Sequence, residues 1–216
     1  MKVLISGTSR GIGKAIAEEF LKNGHEVIGV DIKKGTIENK NYTHIVKSIL
    51  DKDLPEIEGV EILVNNAGVQ NQDETDIDVN LKGTIKFTEK YAFNDKIKSV
   101  VFIASSSART GSEFPEYAAS KGGVVTYMKN VALRLAKYKA IANSISPGGV
   151  ITELNDHILK DEKLYKAVLD ESLLNKWADT EEIAKFVYFV AVVNKSMTGQ
   201  DILIDNGEEL KSNFIW

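Results

Sequence analysis

The chain has 216 residues, of which 43% are apolar, which is enough for one well-buried core and short for two, so we expect a single domain over 1–216. Its net charge of −4 and pI near 5.5 exclude the global basic field that would hold nucleic acid or an anionic membrane. With no cysteine and three scattered histidines we expect no disulfide and no metal site, and an N-terminal apolar run broken at Ser6 and Gly7 predicts a soluble, cytoplasmic protein without a signal or membrane anchor.

The first segment predicts a strand, a glycine-rich turn and a helix. Lys2 to Ser6 is a short apolar run typical of a strand buried on both faces, and a helical period follows Gly13. Between them lies Gly7-Thr8-Ser9-Arg10-Gly11-Ile12-Gly13, with the spacing GxxxGxG. Glycines let the backbone approach a pyrophosphate, and the helix N-terminus favours its charge, although such a turn can also serve tight packing alone.

Asp31 ends the second predicted strand, His25 to Val30. A carboxylate in this place, about 20 residues after a glycine turn, is suited to bind the ribose hydroxyls of adenosine and to repel a 2′-phosphate. The alternative is an ordinary turn or cap aspartate. The preceding glycine loop favours the ribose interpretation.

The middle of the chain continues the alternation of strands and helices. Residues 32–41 are polar and too short for a well-formed crossover helix, so we expect a loop or a single turn there. Strands are predicted over 42–49 and 60–64, and the second of them runs into Asn65-Asn66-Ala67-Gly68, whose amides and small residues suit a sharp turn. A helical pattern over 76–91 contains Asn80, although asparagine inside a helix usually faces solvent.

The fifth predicted strand, Ser99 to Ala104, ends in three serines, and parallel sheets bind ligands at that edge. In the following segment, Glu116 to Gly123, Tyr117 and Lys121 lie one helical turn apart. An ammonium beside a phenol favours the phenolate, which makes the tyrosine a candidate acid/base. A surface pair on an amphipathic helix is the alternative.

The last third predicts a sixth strand over 140–146, a rigid turn at Pro147-Gly148-Gly149-Val150-Ile151-Thr152 and a final strand over 201–204. Leucines recur at near-helical spacing over 153–176, which predicts either a mobile lid over a modest apolar pocket or ordinary helix packing. Thr180 is the expected N-cap of the helix that follows.

These strands alternate with helices after a glycine turn, as in an α/β fold with a doubly wound parallel sheet. The ordered set of the glycine turn, Asn65 to Gly68, Asn80, the Ser105 region, Tyr117-x-x-x-Lys121 and the 147–152 turn closely resembles the short-chain dehydrogenase/reductase family. The resemblance covers essentially the whole chain. It implies one Rossmann-type domain with a mostly seven-stranded parallel sheet and a substrate lid at about 152–176.

The resemblance also implies the roles of individual residues. Tyr117 would be the acid/base for the substrate oxygen, Lys121 would lower its pKa and hold the nicotinamide ribose, Ser105 would hydrogen-bond the substrate carbonyl, and Asn80 would position a water joining Lys121 to solvent. Thr152 would meet the carboxamide or pyrophosphate, and Asn66 would lie near the adenosine. The expected cofactor-binding positions are Gly7, Ser9, Arg10, Gly11, Ile12, Gly13, Asp31, Asn66, Ala67, Gly68, Tyr117, Lys121, Pro147, Gly148, Val150 and Thr152.

Three features depart from the family pattern. The chain is shorter than usual and lacks most of the helix between strands two and three. The usual spacing before the tyrosine falls on Ala104, whereas alignment on the strand end and Gly111 selects Ser105 and leaves Ser106 as the alternative. Family members commonly have an aspartate near the adenine after the third strand, and this chain has Ser48 there. The replacement is expected to weaken adenine binding but not to affect hydride or proton transfer.

The sequence thus predicts an NAD(P)-dependent oxidoreductase that interconverts a secondary alcohol and a ketone or 3-oxoacyl group. A catalytically silent cofactor-binding or sensing protein is the rival, and an epimerase would need a larger C-terminal region. Asp31 favours NAD, whereas Arg10, Lys33 and Lys34 leave NADP as the alternative. The resemblance and the apolar tail at 212–216 predict a homotetramer or homodimer. The expected binding partner is a small-molecule alcohol or carbonyl substrate, and neither nucleic acid nor a membrane is expected.

Overall fold

The computed structural model describes residues 1–112 and 114–211. Its centre is one sheet of seven parallel strands in the order β3-β2-β1-β4-β5-β6-β7. The strands are β1 (Lys2–Ser6), β2 (Glu26–Asp31), β3 (Tyr42–Val46), β4 (Ile62–Asn65), β5 (Ser99–Ile103), β6 (Ile141–Pro147) and β7 (Asp201–Ile204). The predicted α/β fold with a doubly wound, Rossmann-type sheet is confirmed.

The order of the strands locates the ligand-binding edge. β1 pairs with β2 on one side and with β4 on the other, so that Val3 lies between Val27 and Ile62. Starting from β1, the strands β2 and β3 are therefore added on one side of the sheet, and β4 to β7 are added on the other side. The carboxyl ends of β1 and β4 are thus the point at which the strand order reverses, and open α/β sheets bind ligands in the crevice outside such a point.

Helices cover both faces of the sheet. They are α1 (Gly11–Lys22), α2 (Thr84–Tyr91), α3 (Ser107–Thr110), α4 (Pro115–Leu135), α5 (Asp156–Leu159), α6 (Glu162–Leu169) and α7 (Thr180–Tyr188). On one face, Ile16 and Phe20 of α1 pack with Ile183 of α7. On the other face, Phe87 of α2 packs with Met128 of α4. All five of these side chains are fully buried, which leaves the carboxyl edge of the sheet to loops.

The third strand is shorter than predicted, because it ends at Val46 and not at Ile49. Two local hydrogen bonds turn the chain there: Ser48 N–H donates to Asp51 Oδ2 at 3.0 Å, and Leu50 N–H donates to Ser48 Oγ at 3.1 Å. Short polar side chains that bind nearby backbone in this way compete with strand pairing. The predicted loop between β2 and β3 is confirmed, since residues 32–41 contain no helix.

Two details of the helices differ from the sequence predictions. The helix predicted over 76–91 begins as a π-helix, Ile77–Gly83, and only then continues as α2. The N-cap of α7 is Asp179 and not Thr180, because Glu182 Oε2 reaches back to accept Asp179 N–H at 2.9 Å and starts the helix one residue earlier.

Within the described ranges, no helix is both long and apolar enough to cross a membrane. The apolar tail at 212–216, from which an interface was predicted, lies outside the described residues.

Candidate active site

The glycine-rich turn after β1 is packed too closely for side chains. Gly7 has φ +77°, and a Cβ on Gly13 would lie 1.9 Å from Gly7 O and 2.3 Å from Asn66 Nδ2. Helix α1 starts within this turn, and its N-cap, Arg10, makes no side-chain capping hydrogen bond. Backbone N–H groups of the first turn therefore remain for a ligand, as a pyrophosphate site requires.

The loop after β4 is fastened to this turn. Asn66 Nδ2 donates to Ser6 O at 3.1 Å and to Gly7 O at 3.0 Å, while Ser6 Oγ accepts the N–H groups of Asn66 and Ala67 at 3.0 and 3.1 Å. The 65–68 segment thus braces the glycine turn. Because both loops are held by these four hydrogen bonds, the crevice between β1 and β4 has a fixed wall.

Asp31 lies at the end of β2 beside the glycine turn. Its Oδ2 accepts Ser9 N–H at 3.0 Å, and its Oδ1 accepts Lys33 N–H at 2.9 Å. A carboxylate has about four acceptor positions, so two backbone bonds orient it and leave capacity for a pair of ribose hydroxyls. Arg10, Lys33 and Lys34 are all exposed around it.

A polar chain takes the place of the missing crossover helix. Tyr42 Oη bonds to Thr8 Oγ1 at 2.9 Å and to His44 Nδ1 at 2.8 Å, and His44 Nε2 bonds to Lys33 O at 2.8 Å. Burial raises the pKa of Tyr42, which keeps its hydroxyl protonated. These hydrogen bonds tie the loop after Asp31 to β3 and to the glycine turn, so the loop is anchored without a helix.

Tyr117 and Lys121 lie on the first turns of α4, where Pro115 and Glu116 favour a helix start. Lys121 is only 6% exposed, its Nζ donates to Ile103 O at 3.0 Å, and the same atom lies 5.6 Å from the centre of the Tyr117 ring. Burial lowers the pKa of Lys121 from its ordinary value of 10.5 to about 8. The Tyr117 side chain is half-buried, so α4 holds a buried ammonium next to a phenol that is partly exposed to solvent.

Asn80 faces inward, unlike a typical asparagine inside a helix. It is 1% exposed, and its carboxamide pairs with both backbone groups of Val69: Oδ1 accepts the N–H at 2.8 Å, and Nδ2 donates to the carbonyl at 2.9 Å. The amide also donates to Ser120 Oγ at 3.0 Å. The π-helix widens the turn at this point, a distortion that is frequent at functional sites.

Asn80 and Lys121 are neighbours beside Gly68. A Cβ on Gly68 would lie 3.0 Å from Asn80 Oδ1 and 3.4 Å from Lys121 Nζ. The helix that carries Asn80, the helix that carries Lys121 and the loop after β4 thus meet at one point, which brings together three segments that are far apart in sequence.

The serines after β5 form a tight turn against β6, in which Ser106 N–H donates to Pro147 O at 2.8 Å. Ser107 donates to Ser105 Oγ twice, from its hydroxyl at 2.9 Å and from its N–H at 3.3 Å. Since Ser105 Oγ is the acceptor in both bonds, its own hydrogen stays available to a second acceptor. No such pair of bonds to Ser106 Oγ is present in the described structure.

The turn after β6 approaches the glycine turn. Thr152 Cγ2 would lie 3.6 Å from a Cβ on Gly11, and Asn155 Nδ2 holds Val150 O at 2.8 Å. Gly149 lies flat against the indole of Trp177, since a Cβ there would be 2.1 Å from Trp177 Nε1. Trp177 in turn contacts Tyr165 of α6 edge to face at 6.0 Å.

Beyond Thr152 the segment predicted as a lid forms short helices. A 3₁₀ turn, Glu153–Asn155, leads into α5 and α6, which contain no fully buried residue. Leu154, Leu164, Leu173 and Leu174 are between 41% and 65% exposed. These four leucines therefore lie outside the core of the domain.

Several residues whose contacts shape the site were not predicted from the sequence: Ser6, Tyr42, His44, Asp76, Ser107, Ser120 and Trp177. Most of them act through single hydrogen bonds whose partners are distant in sequence. Asp76 had a usable signal, because it precedes Asn80 by four residues on a predicted helix and so shares its face.

The arrangement fits a dinucleotide. The close-packed glycine turn and the helix N-terminus suit a pyrophosphate, the oriented Asp31 suits a ribose diol, and Lys121 lies beside Tyr117. Ser105 and Tyr117 carry hydroxyl groups, which can hydrogen-bond a polarised oxygen of a ligand.

Comparison with known proteins agrees with this geometry. A family model described as enoyl-(acyl carrier protein) reductase matches residues 7–209. The 3-oxoacyl-[acyl-carrier-protein] reductase FabG of Thermotoga maritima is 29% identical over 237 residues, covering 94% of this chain and 96% of the relative. Glucose 1-dehydrogenase of Gluconobacter oxydans is 26% identical, covering 99% and 93%. The ligand-free aldohexose dehydrogenase of Thermoplasma acidophilum superposes with a TM-score of 0.87 at 26% identity, covering 100% of this chain and 96% of that one.

Proposed function

This chain belongs to the short-chain dehydrogenase/reductase family and is an NAD(P)-dependent oxidoreductase acting on CH–OH groups. From that premise we propose that Tyr117 is the proton donor and acceptor of the reaction. The observation that carries the proposal is the Lys121 ammonium, buried and 5.6 Å from the phenol ring. An ammonium at that place stabilises the phenolate, so that the proton can leave or return near neutral pH.

The other members of the site have distinct tasks in this proposal. Ser105 donates its hydroxyl hydrogen to the substrate oxygen, which is supported by its two bonds from Ser107. Asn80 positions a water that joins Lys121 to solvent, which is supported by its rigid pairing with Val69 beside Lys121. The nicotinamide of the bound cofactor supplies the hydride acceptor or donor.

The cofactor is held along the crevice. Backbone N–H groups of Gly11, Ile12 and Gly13 bind the pyrophosphate, with Thr152 beside Gly11, while Ser9 and Arg10 border this turn and the Ser9 N–H stays on Asp31. Asn66, Ala67 and Gly68 line one wall, and Pro147, Gly148 and Val150 line the nicotinamide end. Lys121 also binds the nicotinamide ribose in this arrangement.

We propose NAD as the cofactor, with NADP as the alternative. Asp31 is fixed by two backbone N–H groups at the position of the ribose diol, where a 2′-phosphate would meet a like charge. Like charges near 4 Å repel by about 4 kcal/mol at an effective dielectric of 20. The charge of Arg10 would favour NADP, but this side chain is exposed and solvent screens its charge.

The substrate is a secondary alcohol, or the corresponding ketone or 3-oxoacyl group, and residues 152–176 act as its lid. The exposed leucines of the lid support a partly apolar substrate, while the two relatives are named for a 3-oxoacyl-[acyl-carrier-protein] and for glucose. A panel of ketones, 3-oxoacyl thioesters and secondary alcohols with both cofactors distinguishes these classes.

The protein forms a homotetramer or homodimer through α2 and α4. Leu133 of α4 supports this assembly, because it is 77% exposed on the helix that would meet a second copy. The catalytically silent alternative is disfavoured, since Ser105, Tyr117 and Lys121 are all present and the relatives are named as reductases and dehydrogenases.

Substitution Y117F tests the proposed function. It removes the proton donor and leaves the backbone contacts of the cofactor, so we expect turnover to fall on the order of a hundredfold or more with nearly unchanged cofactor binding. The matched control is Y127F, which removes a hydroxyl of the same helix that donates to Glu89 Oε1 at 2.8 Å, away from the crevice. A Y117F enzyme that keeps more than about a tenth of the parent rate contradicts the role.

A further inference from the structure

The carbonyl of Lys33, in the loop after Asp31, is a point at which several hydrogen bonds converge. It accepts Ser9 Oγ at 3.0 Å and His44 Nε2 at 2.8 Å, while the N–H of Lys33 donates to Asp31 Oδ1 at 2.9 Å. Ser9 N–H donates to the other oxygen of that carboxylate at 3.0 Å. Ser9, Asp31 and Lys33 thus form a closed ring of hydrogen bonds, which His44 holds from the outside.

The path from His44 back to the glycine turn has one consistent direction. A carbonyl only accepts, so His44 Nε2 donates to Lys33 O, and the other ring nitrogen, Nδ1, then accepts Tyr42 Oη at 2.8 Å. Tyr42 Oη in turn accepts the hydroxyl of Thr8, a fully buried residue, at 2.9 Å. Because Thr8 is followed directly by Ser9, the path returns to the ring at which it begins.

Two glycines leave the space that this path occupies. Gly29 lies inside β2, and a Cβ there would be 2.3 Å from both Thr8 Oγ1 and Tyr42 Oη, so their hydrogen bond passes directly over the strand. A Cβ on Gly35 would be 2.7 Å from His44 Nδ1. Glycine weakens a strand and often marks a close approach of another group. Fastening β3 to the sheet does not require this crossing, since every residue of β3 already pairs with β2.

The loop over 32–41 is otherwise exposed. Within this fully described range Ile37 is the one residue that is not exposed, and it packs against the hydrophobic core. Lys33 and Lys34, whose charges would favour a 2′-phosphate, belong to the exposed part. The hydrogen bonds of Tyr42 and His44 therefore hold the part of the loop that lies next to Asp31.

We propose that Tyr42 and His44 are positioning residues of the cofactor site, which set its affinity for NAD and its discrimination against NADP. Their hydrogen bonds hold Asp31 at the ribose diol and keep the loop lysines from turning onto a 2′-phosphate. The inference rests on the proposed function, in which Asp31 binds that diol. Because β2, β1 and β4 lie between β3 and β5, both residues are remote from Ser105, and cofactor binding changes without the chemical step.

The experiment compares the parent with Y42F and H44F, which keep an aromatic ring and remove its hydrogen bonds. By calorimetric titration we expect NAD to bind about three- to tenfold more weakly in each variant, as for the loss of an anchoring hydrogen bond. NADP binding should weaken less, so that the ratio of the two affinities narrows. The KM for NAD should rise by a similar factor, while kcat at saturating NAD stays at the parent value.

The matched control is Y91F. Tyr91 is 3% exposed and donates its hydroxyl to Pro55 O at 2.7 Å, within the core cluster on the other face of the sheet. Its loss should lower the melting temperature and leave NAD binding unchanged. A purely structural role of Tyr42 and His44 predicts the same pattern for Y42F and H44F, and that result overturns the proposal. If H44F does not fold, H44A replaces it.

The double variant Y42F/H44F tests whether the two side chains act as one path. Both substitutions break the same path, so the double variant should bind NAD about as weakly as the weaker single variant, whereas independent effects multiply. G29A breaks the bond between Thr8 and Tyr42 without replacing either residue, and it should weaken NAD binding as Y42F does. Losses that multiply, or a G29A protein that binds NAD like the parent, contradict the proposal.

A measurement without cofactor separates this proposal from the proposed function. The N–H groups of Ser9 and Lys33 both bind Asp31, so their amide hydrogen exchange reports whether the ring opens. Exchange at both should be faster in Y42F and H44F than in the parent and Y91F, and equal rates overturn the proposal. If the parent binds NAD but shows no dehydrogenase activity, the proposed function alone fails, and exchange and NAD binding still decide the role of Tyr42 and His44. A parent that binds neither cofactor overturns both.

Discussion

Substitution G13A probes the close packing of the glycine turn. The new Cβ would lie 1.9 Å from Gly7 O, 2.3 Å from Asn66 Nδ2 and 2.8 Å from Gly7 C. Two of these atoms are backbone and the third is a side chain held by two hydrogen bonds, so the strain cannot be relieved by a simple rotation. Overpacking costs about 1–3 kcal/mol, and backbone contacts this short place G13A at the upper end of that range.

For a domain of this size each kcal/mol lowers the melting temperature by about 2–4 °C, so we expect G13A to unfold roughly 6–12 °C below the parent. The displaced turn also moves the N–H groups that face the pyrophosphate. We expect NAD affinity to fall by about tenfold or more, or about 1.4 kcal/mol of binding free energy. Thermal unfolding followed by circular dichroism and calorimetric titration with NAD measure the two effects.

Substitution G122A is the matched control, because Gly122 lies inside α4 and the nearest atom to its new Cβ is Ala108 O at 3.8 Å. Alanine in place of glycine in a helix interior stabilises by about 0.5–1 kcal/mol, so G122A should melt slightly above the parent. If G13A melts within about 1 °C of the parent and binds NAD equally well, the steric reasoning is refuted.

Three further predictions concern charge and assembly. K121M removes the buried ammonium, whose pKa in the folded parent is about 8, below the ordinary 10.5. Between these two pH values the unfolded parent binds more protons than the folded parent, so the stability of the parent should rise with pH relative to that of K121M, by on the order of 3 kcal/mol. Urea unfolding of both proteins at pH 7.5 and 10 measures this difference. A pH-independent difference contradicts this. D31A should narrow the ratio of kcat/KM for NAD over NADP, and a parent enzyme that favours NADP tenfold would mean that Arg10 and the lysines outweigh the carboxylate. Light scattering at micromolar concentration should show an oligomer that L133E dissociates, and a monomeric parent contradicts the proposed interface.

The sequence by itself determined the order of strands and helices, the glycine turn and the pairing of Tyr117 with Lys121. These features depend on local patterns: apolar runs, glycines that admit no side chain, and residues four apart on a helix. The doubly wound sheet also followed from the sequence, since alternating strands and helices leave few topologies open.

The tertiary structure decided what the polar side chains contact. Asn80 was expected in a helix but lies buried against Val69, because the π-helix and the loop after β4 meet at Gly68. The loop after Asp31 was predicted without a helix, yet its anchoring through Tyr42 and His44 depends on β3 pairing beside β2. Lys121 of α4 reaches Ile103 O of β5 for the same physical reason: residues far apart in sequence interact only after the sheet has brought their elements together, and no local pattern records which polar groups then become neighbours.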